Sequence, residues 1–181
     1  MADLHYLLAD RWSPRAFSNT RHVDEHELDS LLDAARWAPS AADSQPWRFV
    51  IGRRDDETHK RILTNLTAAD QRWAGRPALL IVAARLSQGR FGEALPYADY
   101  DLGQAVAQLT VQATALGLHV RQVTDIDEPG LRADLDLPGG VTPRVVAAVG
   151  HAGEPELLPL DLRAAEIRLR RRQPVADLVL G

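Results

Sequence analysis

The chain has 181 residues, 45% of them apolar and 25% charged, a formal net charge of −4 and no cysteine. That is the size and balance of one soluble globular domain, and its acidic sign favours neither a nucleic-acid partner nor a membrane surface. The missing cysteines exclude disulfides, iron–sulfur clusters, thiolate zinc sites and a cysteine nucleophile. The start, MADLHYLLADRW, lacks the basic stretch and apolar run of a signal peptide. No segment reaches the roughly eighteen apolar residues of a membrane span. The expectation is a cytoplasmic protein with a single domain over 1–181.

In chain order, residues 3–10 form a short helix, and RWSPRAFS follows, broken by Pro14. The next helix has a complete start signal: Asp24 as N-cap, Glu27 closing a capping box, and Val23 with Leu28 as a hydrophobic staple. Leu28, Leu31, Leu32 and Ala35 then make one buried stripe, and Pro39 ends the helix. APSAADSQPW (38–47) can continue neither as helix nor as regular strand. Its small and polar residues suit backbone that approaches something other than protein. WRFVIG (47–52) reads as a strand, 56–67 as an exposed helix, and the wholly apolar ALLIVAA (78–84) as a central strand.

The segment 96–117 is the strongest helix, with Leu102, Ala105, Val106, Leu109, Ala113 and Leu116 at helical spacing and Gly117 as the C′ residue. Val111 and Ala115 add apolar character off that stripe, as expected for a helix in a core or a subunit interface. LHVRQV (118–123) is a strand, 128–135 a short helix, and RVVAAVG (144–150) a further strand. The tail, 151–181, has too little apolar periodicity for a core of its own, so it should wrap around something, a second subunit being the natural choice. Helices and strands alternate without regular βαβ units, which favours α+β over a doubly wound sheet.

Two basic clusters carry chemistry. In an extended RWSPRAFS, Arg11, Ser13 and Arg15 share a face, and two guanidiniums with a hydroxyl suit a phosphate. In RLRRRQP, the alternate Arg170 and Arg172 can join the same anion. Taken singly, each cluster reads more simply as a solvated surface segment. His22 and His26 straddle the predicted helix start and make no metal pair, and His5, His59, His119 and His151 are isolated. No GxSxG, Walker A or GxGxxG sequence occurs, so hydrolase, P-loop and classical dinucleotide readings have no support. Trp47 and Trp73 read as core or interface residues.

Taken in order, RWSPRAF, APSAADSQPWRFVIG, PYADYDLGQAV through QATALGL, and IRLRRRQPVADLV resemble the motifs of the FMN-dependent nitroreductase-like flavoproteins over almost the whole chain. The resemblance implies an α+β fold, with a mixed sheet flanked by helices, in an intertwined homodimer whose C-terminal arm (about 151–181) wraps the partner. It implies FMN at the interface and NAD(P)H as co-substrate. Arg11, Trp12, Ser13 and Arg15 would hold the phosphate and ribityl side, and Arg170 and Arg172 would reach the same phosphate. Pro39, Ser40, Ala41 and Asp43 would approach the flavin from the other subunit, anchored by Trp47 and Phe49. Val123, Thr124 and Asp125 would face the ring near N5, and Gln71 or Arg72 its pyrimidine edge. Hydride would pass from NAD(P)H through flavin N5 to a small electron-poor acceptor such as a nitroaromatic or a quinone. Arg15 would be the catalytic residue, a positive charge near the N1–O2 edge, with no general base.

The chain departs from the family at two positions, with Asp43 where asparagine is usual and Asp125 where glycine is frequent. A carboxylate cannot donate as an amide does, and its charge opposes a reduced, anionic flavin. Neutralisation by Arg48 or Arg72, or an outward-pointing side chain, would resolve the conflict. The competing readings are a flavin-binding protein with little turnover, a related reductase of unsaturated or halogenated small molecules, an empty dimeric scaffold, and a deazaflavin in place of FMN.

Overall fold

A computed structural model describes residues 3–180. The expected domain also takes in residues 1, 2 and 181, which lie outside the described residues. Along the chain run α1 (Tyr6–Ala9), α2 (Glu25–Arg36), β1 (Trp47–Arg53), α3 (Glu57–Thr64), α4 (Ala68–Ala74), β2 (Leu79–Leu86), α5 (Ala98–Ala115), β3 (His119–Val123), α6 (Glu128–Asp134), β4 (Val141–Gly150) and α7 (Leu160–Glu166). The strands form one four-stranded sheet in the order β1-β2-β4-β3. All three pairings are antiparallel, which corrects the expectation of a mixed sheet among the described residues.

The sheet separates two apolar clusters, and strand alternation divides its residues between them. Leu79, Ile81 and Ala83 of β2, with Val145, Ala147 and Val149 of β4, enter the cluster that holds Leu28, Leu31 and Ala35 of α2 and Leu102, Ala105, Val106, Leu109 and Ala113 of α5. Leu80 and Val82, with Val146 and Ala148, enter the other, which holds Ile62 of α3, Trp73 of α4, Leu131 of α6 and Phe17. A fully buried aliphatic side chain of this kind contributes about 1.5–3 kcal/mol. β2 and β4 are therefore apolar on both faces and central, and β1 and β3 take the edges. The register shifts between Ala83 and Ala84, where Pro143 of β4 faces Ala84 and has no N–H to offer the ladder.

Local signals in the sequence act as read. The Asp24 carboxylate accepts the Glu27 N–H at 2.7 Å, and the Glu27 carboxylate accepts the Asp24 N–H at 2.9 Å. Gly117 follows α5 with φ of 71°, the left-handed conformation that a C′ glycine adopts at least cost. Trp47 and Trp73 are both buried. Two readings change. The helix expected to be exposed over 56–67 is the shorter α3, and its His59 and Ile62 are buried. The segment after it turns into α4, capped by Thr67, whose hydroxyl accepts the Asp70 N–H at 3.2 Å.

The tail adds α7 and then runs exposed from 167 to 180. Leu169 is 87% exposed and Leu180 97%, and Tyr6 and Leu8 of α1 also face solvent, so a single chain leaves this apolar surface uncovered.

β1 and α3 meet at Gly52, where an added Cβ would lie 2.7 Å from the backbone N and Cα of His59. Neither atom belongs to a flexible side chain. Gly52→Ala is expected to destabilise the fold by about 1–3 kcal/mol, as overpacking does, read as a lower urea midpoint at unchanged m-value.

Candidate functional site

The N-terminal segment is held against the end of β4. Phe17 bridges to Ala152, the Gly153 N–H donates to the Ala16 carbonyl at 2.8 Å, and the Ser18 N–H donates to the His151 carbonyl at 3.0 Å. Phe17 fills the core beside Trp73, their ring centroids 6.2 Å apart. This anchoring leaves the residues just before it free to face a cavity of about 230 Å³.

That cavity gathers Arg11, Trp12, Ser13 and Arg15 with Arg170 and Arg172, the two basic clusters read from opposite ends of the sequence. Arg121 of β3 and Arg168 join them, so six guanidiniums line one small volume. Arg121 had no sequence signal, because one arginine on a strand has no neighbours in sequence to mark it. Its guanidinium lies 5.4 Å from the Trp73 ring centre and donates to the Ser13 carbonyl at 2.9 Å, tying β3 to the N-terminal segment. Arg170 donates to the Ala9 carbonyl at 2.7 Å and to the Arg11 carbonyl, so the tail is bonded to the same segment. Arg11 bonds the Ser13 hydroxyl at 3.3 Å.

The crowding has an electrostatic consequence. Burial, then the charges of Arg170 and Arg172, pull the Arg11 pKa below the usual guanidinium value. Burial, then the charge of Arg15, does the same for Arg121. Both groups stay charged near neutral pH, and their mutual repulsion is the energy a bound anion would relieve. Glu166, the lone carboxylate lining the cavity, points at backbone: it accepts the Arg15 N–H at 2.9 and 3.0 Å and the Ala16 N–H at 3.0 Å.

The compact 38–47 turn sits elsewhere on the chain. Ala41–Asp43 is a single 3-10 turn, and Ala42, Asp43 and Gln45 have φ of 52°, 53° and 46°. Left-handed conformations at non-glycine residues persist only where surrounding bonds hold them. Here the Ser40 hydroxyl accepts the Gln45 N–H at 3.0 Å, and the buried Asp101 carboxylate accepts the Ala41 N–H at 3.1 Å. Neither Arg48 nor Arg72 reaches Asp43. Arg48 donates to the Trp47 carbonyl at 2.6 Å, Arg72 pairs with Asp161 at 2.7 Å, and the Asp43 carboxylate accepts Gln45 Nε2 at 2.9 Å. Ala41, Ala42 and Asp43 line a second cavity of about 440 Å³, facing Tyr97, Asp101 and the loop 89–96. Pro39 is exposed beside it and Ser40 half-buried.

The remaining expected residues do not join the arginine cavity. Val123 ends β3 inside the core, and Thr124 lines a separate cleft with Arg144 and Asp99, while Asp125 is exposed. Gln71 is exposed, and its Nε2 donates to the Leu66 carbonyl at 2.8 Å, so it serves the α3–α4 connection. One chain thus holds three separate groups: the arginine cavity, the turn, and the end of β3. Among the described residues no cluster of His, Asp and Glu could hold a metal ion, and no helix is long and apolar enough to cross a membrane.

A family model described as the nitroreductase family matches residues 8–94, just under half of the chain, the part that carries the first arginine motif and the turn. A solved structure of an oxidoreductase containing FMN superimposes with a TM-score of 0.91 at 32% identity, covering 98% of this chain and 91% of that one. The chain belongs to the nitroreductase family. An uncharacterised 15.4 kDa protein of Mycolicibacterium smegmatis is 33% identical over 117 residues, 59% of this chain and 76% of that protein. An oxygen-insensitive NAD(P)H nitroreductase of Salmonella typhimurium is 22% identical over 196 residues, covering 82% of this family member and 88% of the Salmonella enzyme.

A buried imidazole, His59, and a half-buried one, His119, make stability depend on pH. Burial lowers the pKa of His59 and, reinforced by His151, that of His119, which packs edge-on against Trp12. A histidine whose folded pKa is depressed takes up its proton in the unfolded chain first. Its contribution is complete above the unfolded value of 6.5 and is lost as pH falls from there to the lowered folded pKa. The melting temperature is expected to fall between about pH 7 and pH 5, and the double variant His59→Asn/His119→Asn to flatten that slope.

Proposed function

We propose that this nitroreductase-family chain is an FMN-dependent oxidoreductase that works as a homodimer, taking reducing equivalents from NAD(P)H and delivering them to a small electron-poor acceptor such as a nitroaromatic or a quinone. The observation that carries the reading is the convergence of Arg11, Ser13 and Arg15 with Arg170 and Arg172 on one cavity. Two paired-donor clusters from opposite ends of the chain, meeting around a volume that suits a phosphate, are what a phosphorylated cofactor requires. Full-length similarity to an oxidoreductase containing FMN supports the same conclusion.

On this reading Arg11, Ser13, Arg15, Arg170 and Arg172 hold the phosphate, with Trp12 along the cavity wall. Bound FMN would supply a two-electron carrier between NAD(P)H and the acceptor. Arg15 provides the positive charge that favours the reduced, anionic cofactor. The turn at Pro39, Ser40, Ala41 and Asp43 offers backbone with no bulky side chain, held by Asp101 and Ser40. On the same reading, Val123, Thr124 and Asp125 face the ring near N5 at the end of β3, the strand that carries Arg121 in the arginine cavity. The turn completes the site of the partner subunit, which explains its distance from the cavity in one chain. The chain is one domain whose arm, about 151–181, wraps that partner and covers the apolar residues exposed in a single copy. The protein acts in the cytoplasm.

A second reading, a flavin-binding protein with little turnover, is favoured by Asp43, a carboxylate that forms no ion pair among the described residues of one chain and accepts only the Gln45 amide there. Purification without added cofactor, followed by a visible spectrum and the mass of the released chromophore, tests both. A flavin spectrum with the FMN mass that NAD(P)H bleaches is the expected result. A spectrum that NAD(P)H leaves unchanged would select the second reading, and a colourless protein that ignores added FMN would overturn both. An acceptor panel separates nitroaromatics and quinones from unsaturated or halogenated molecules. Arg15→Ala is expected to weaken FMN retention about tenfold, as loss of a charge-assisted bond does, and to slow NAD(P)H oxidation.

A further inference from the structure

Glu166 is out of place by charge: a carboxylate 8% exposed, in a cavity lined by six arginines. It nevertheless enters none of the ion pairs among the described residues. Both of its oxygens are occupied by the backbone N–H groups of Arg15 and Ala16, some 150 residues away in sequence. Its hydrogen bonds therefore go to main-chain N–H groups; its charge partly offsets the lowering of the Arg121 pKa, but it forms a salt bridge with none of the guanidiniums among the described residues. Glu166 is also the last residue of α7, and Arg168, Arg170 and Arg172 follow directly after it.

We propose that Glu166 is the positioning residue of this anion site: it orients Arg15 through the backbone and sets the origin of the arm that brings the other three arginines to the same point. The idea rests on the reading of the cavity as a phosphate site and assigns the residue that assembles it. An apolar side chain at 166 would leave the buried Ala16 N–H and the part-buried Arg15 N–H without their partner and would release the arm's first turn. The arm is also attached to the N-terminal segment through Arg170 and the carbonyls of Ala9 and Arg11.

The test compares wild type, Glu166→Ala and Glu166→Gln, each first shown to keep the wild-type circular dichroism. Calorimetry then measures their binding of FMN, riboflavin and inorganic phosphate. Riboflavin lacks the phosphate, so a loss of phosphate positioning spares it, whereas a general loosening of the fold does not. Glu166→Ala is expected to weaken FMN and inorganic phosphate about tenfold and riboflavin less than about twofold, with Glu166→Gln, which keeps one acceptor oxygen, in between. If the alanine variant does not fold, the glutamine variant carries the comparison. Equal losses for FMN and riboflavin, or an FMN affinity unchanged in both variants, would overturn the proposal. A wild-type protein that binds inorganic phosphate but not FMN would end the flavin reading and leave the phosphate comparison to decide the role of Glu166. Binding of neither would overturn both.

Discussion

β2 and β4 lie side by side with apolar residues on both faces, and the rest of the chain takes its place from that pair. Alternate residues of each strand feed two separate clusters, so helices must cover both sides: α2 and α5 on one, α3, α4, α6 and Phe17 on the other. The arginine cavity lies at one end of this arrangement because Phe17 is drawn into the second cluster beside Trp73 and carries Arg15, Ser13 and Arg11 with it. The turn before β1 is placed by the same burial, since Trp47 enters the first cluster and Asp101 on α5 reaches the Ala41 N–H.

Hydrophobic burial decides where the segments go, but it does not bring six like charges together. In this protein that is done by polar bonds to backbone. Arg121 spends one donor on the Ser13 carbonyl, Arg170 spends two on Ala9 and Arg11, and Glu166 holds the N–H groups of Arg15 and Ala16. Each bond fixes a direction as well as a distance, so the repulsion among the guanidiniums is resisted by the main chain. Such a site is organised before a ligand arrives, and an anion gains from charges whose ordering cost is already met.

Much of the helical and strand structure was legible because its signals are local. The Asp24–Glu27 capping box, the stripe on α5, Gly117 at its end and the wholly apolar run of β2 each involve residues a few positions apart. α4 and α7 were not read: each is a seven-residue helix of less than two full turns, α4 directly follows a segment already read as one longer helix, and α7 lies in a tail with little apolar periodicity. The two arginine motifs were legible as clusters, and their meeting was implied by family resemblance. Arg121 and Glu166 could not be found in the same way. Each is a lone charged residue whose role depends on a contact across more than a hundred positions. The side chains of Arg72 and Gln71 bond Asp161 and the Leu66 carbonyl in a single chain, contacts that local sequence does not announce either.

The sequence by itself determined most of the elements, one wholly apolar central strand and the presence of two phosphate-suited arginine clusters, because hydrophobic periodicity, caps and paired charges are written within one or two turns of chain. Only the tertiary structure decided that those clusters share one cavity, that among the described residues Asp43 is answered by Gln45 without an ion pair, and that the Glu166 carboxylate in the cavity is bound to backbone. These are matters of direction. Where a guanidinium or a carboxylate points depends on which distant carbonyls and N–H groups the packed core brings within hydrogen-bond reach, and that information exists only once the chain has folded.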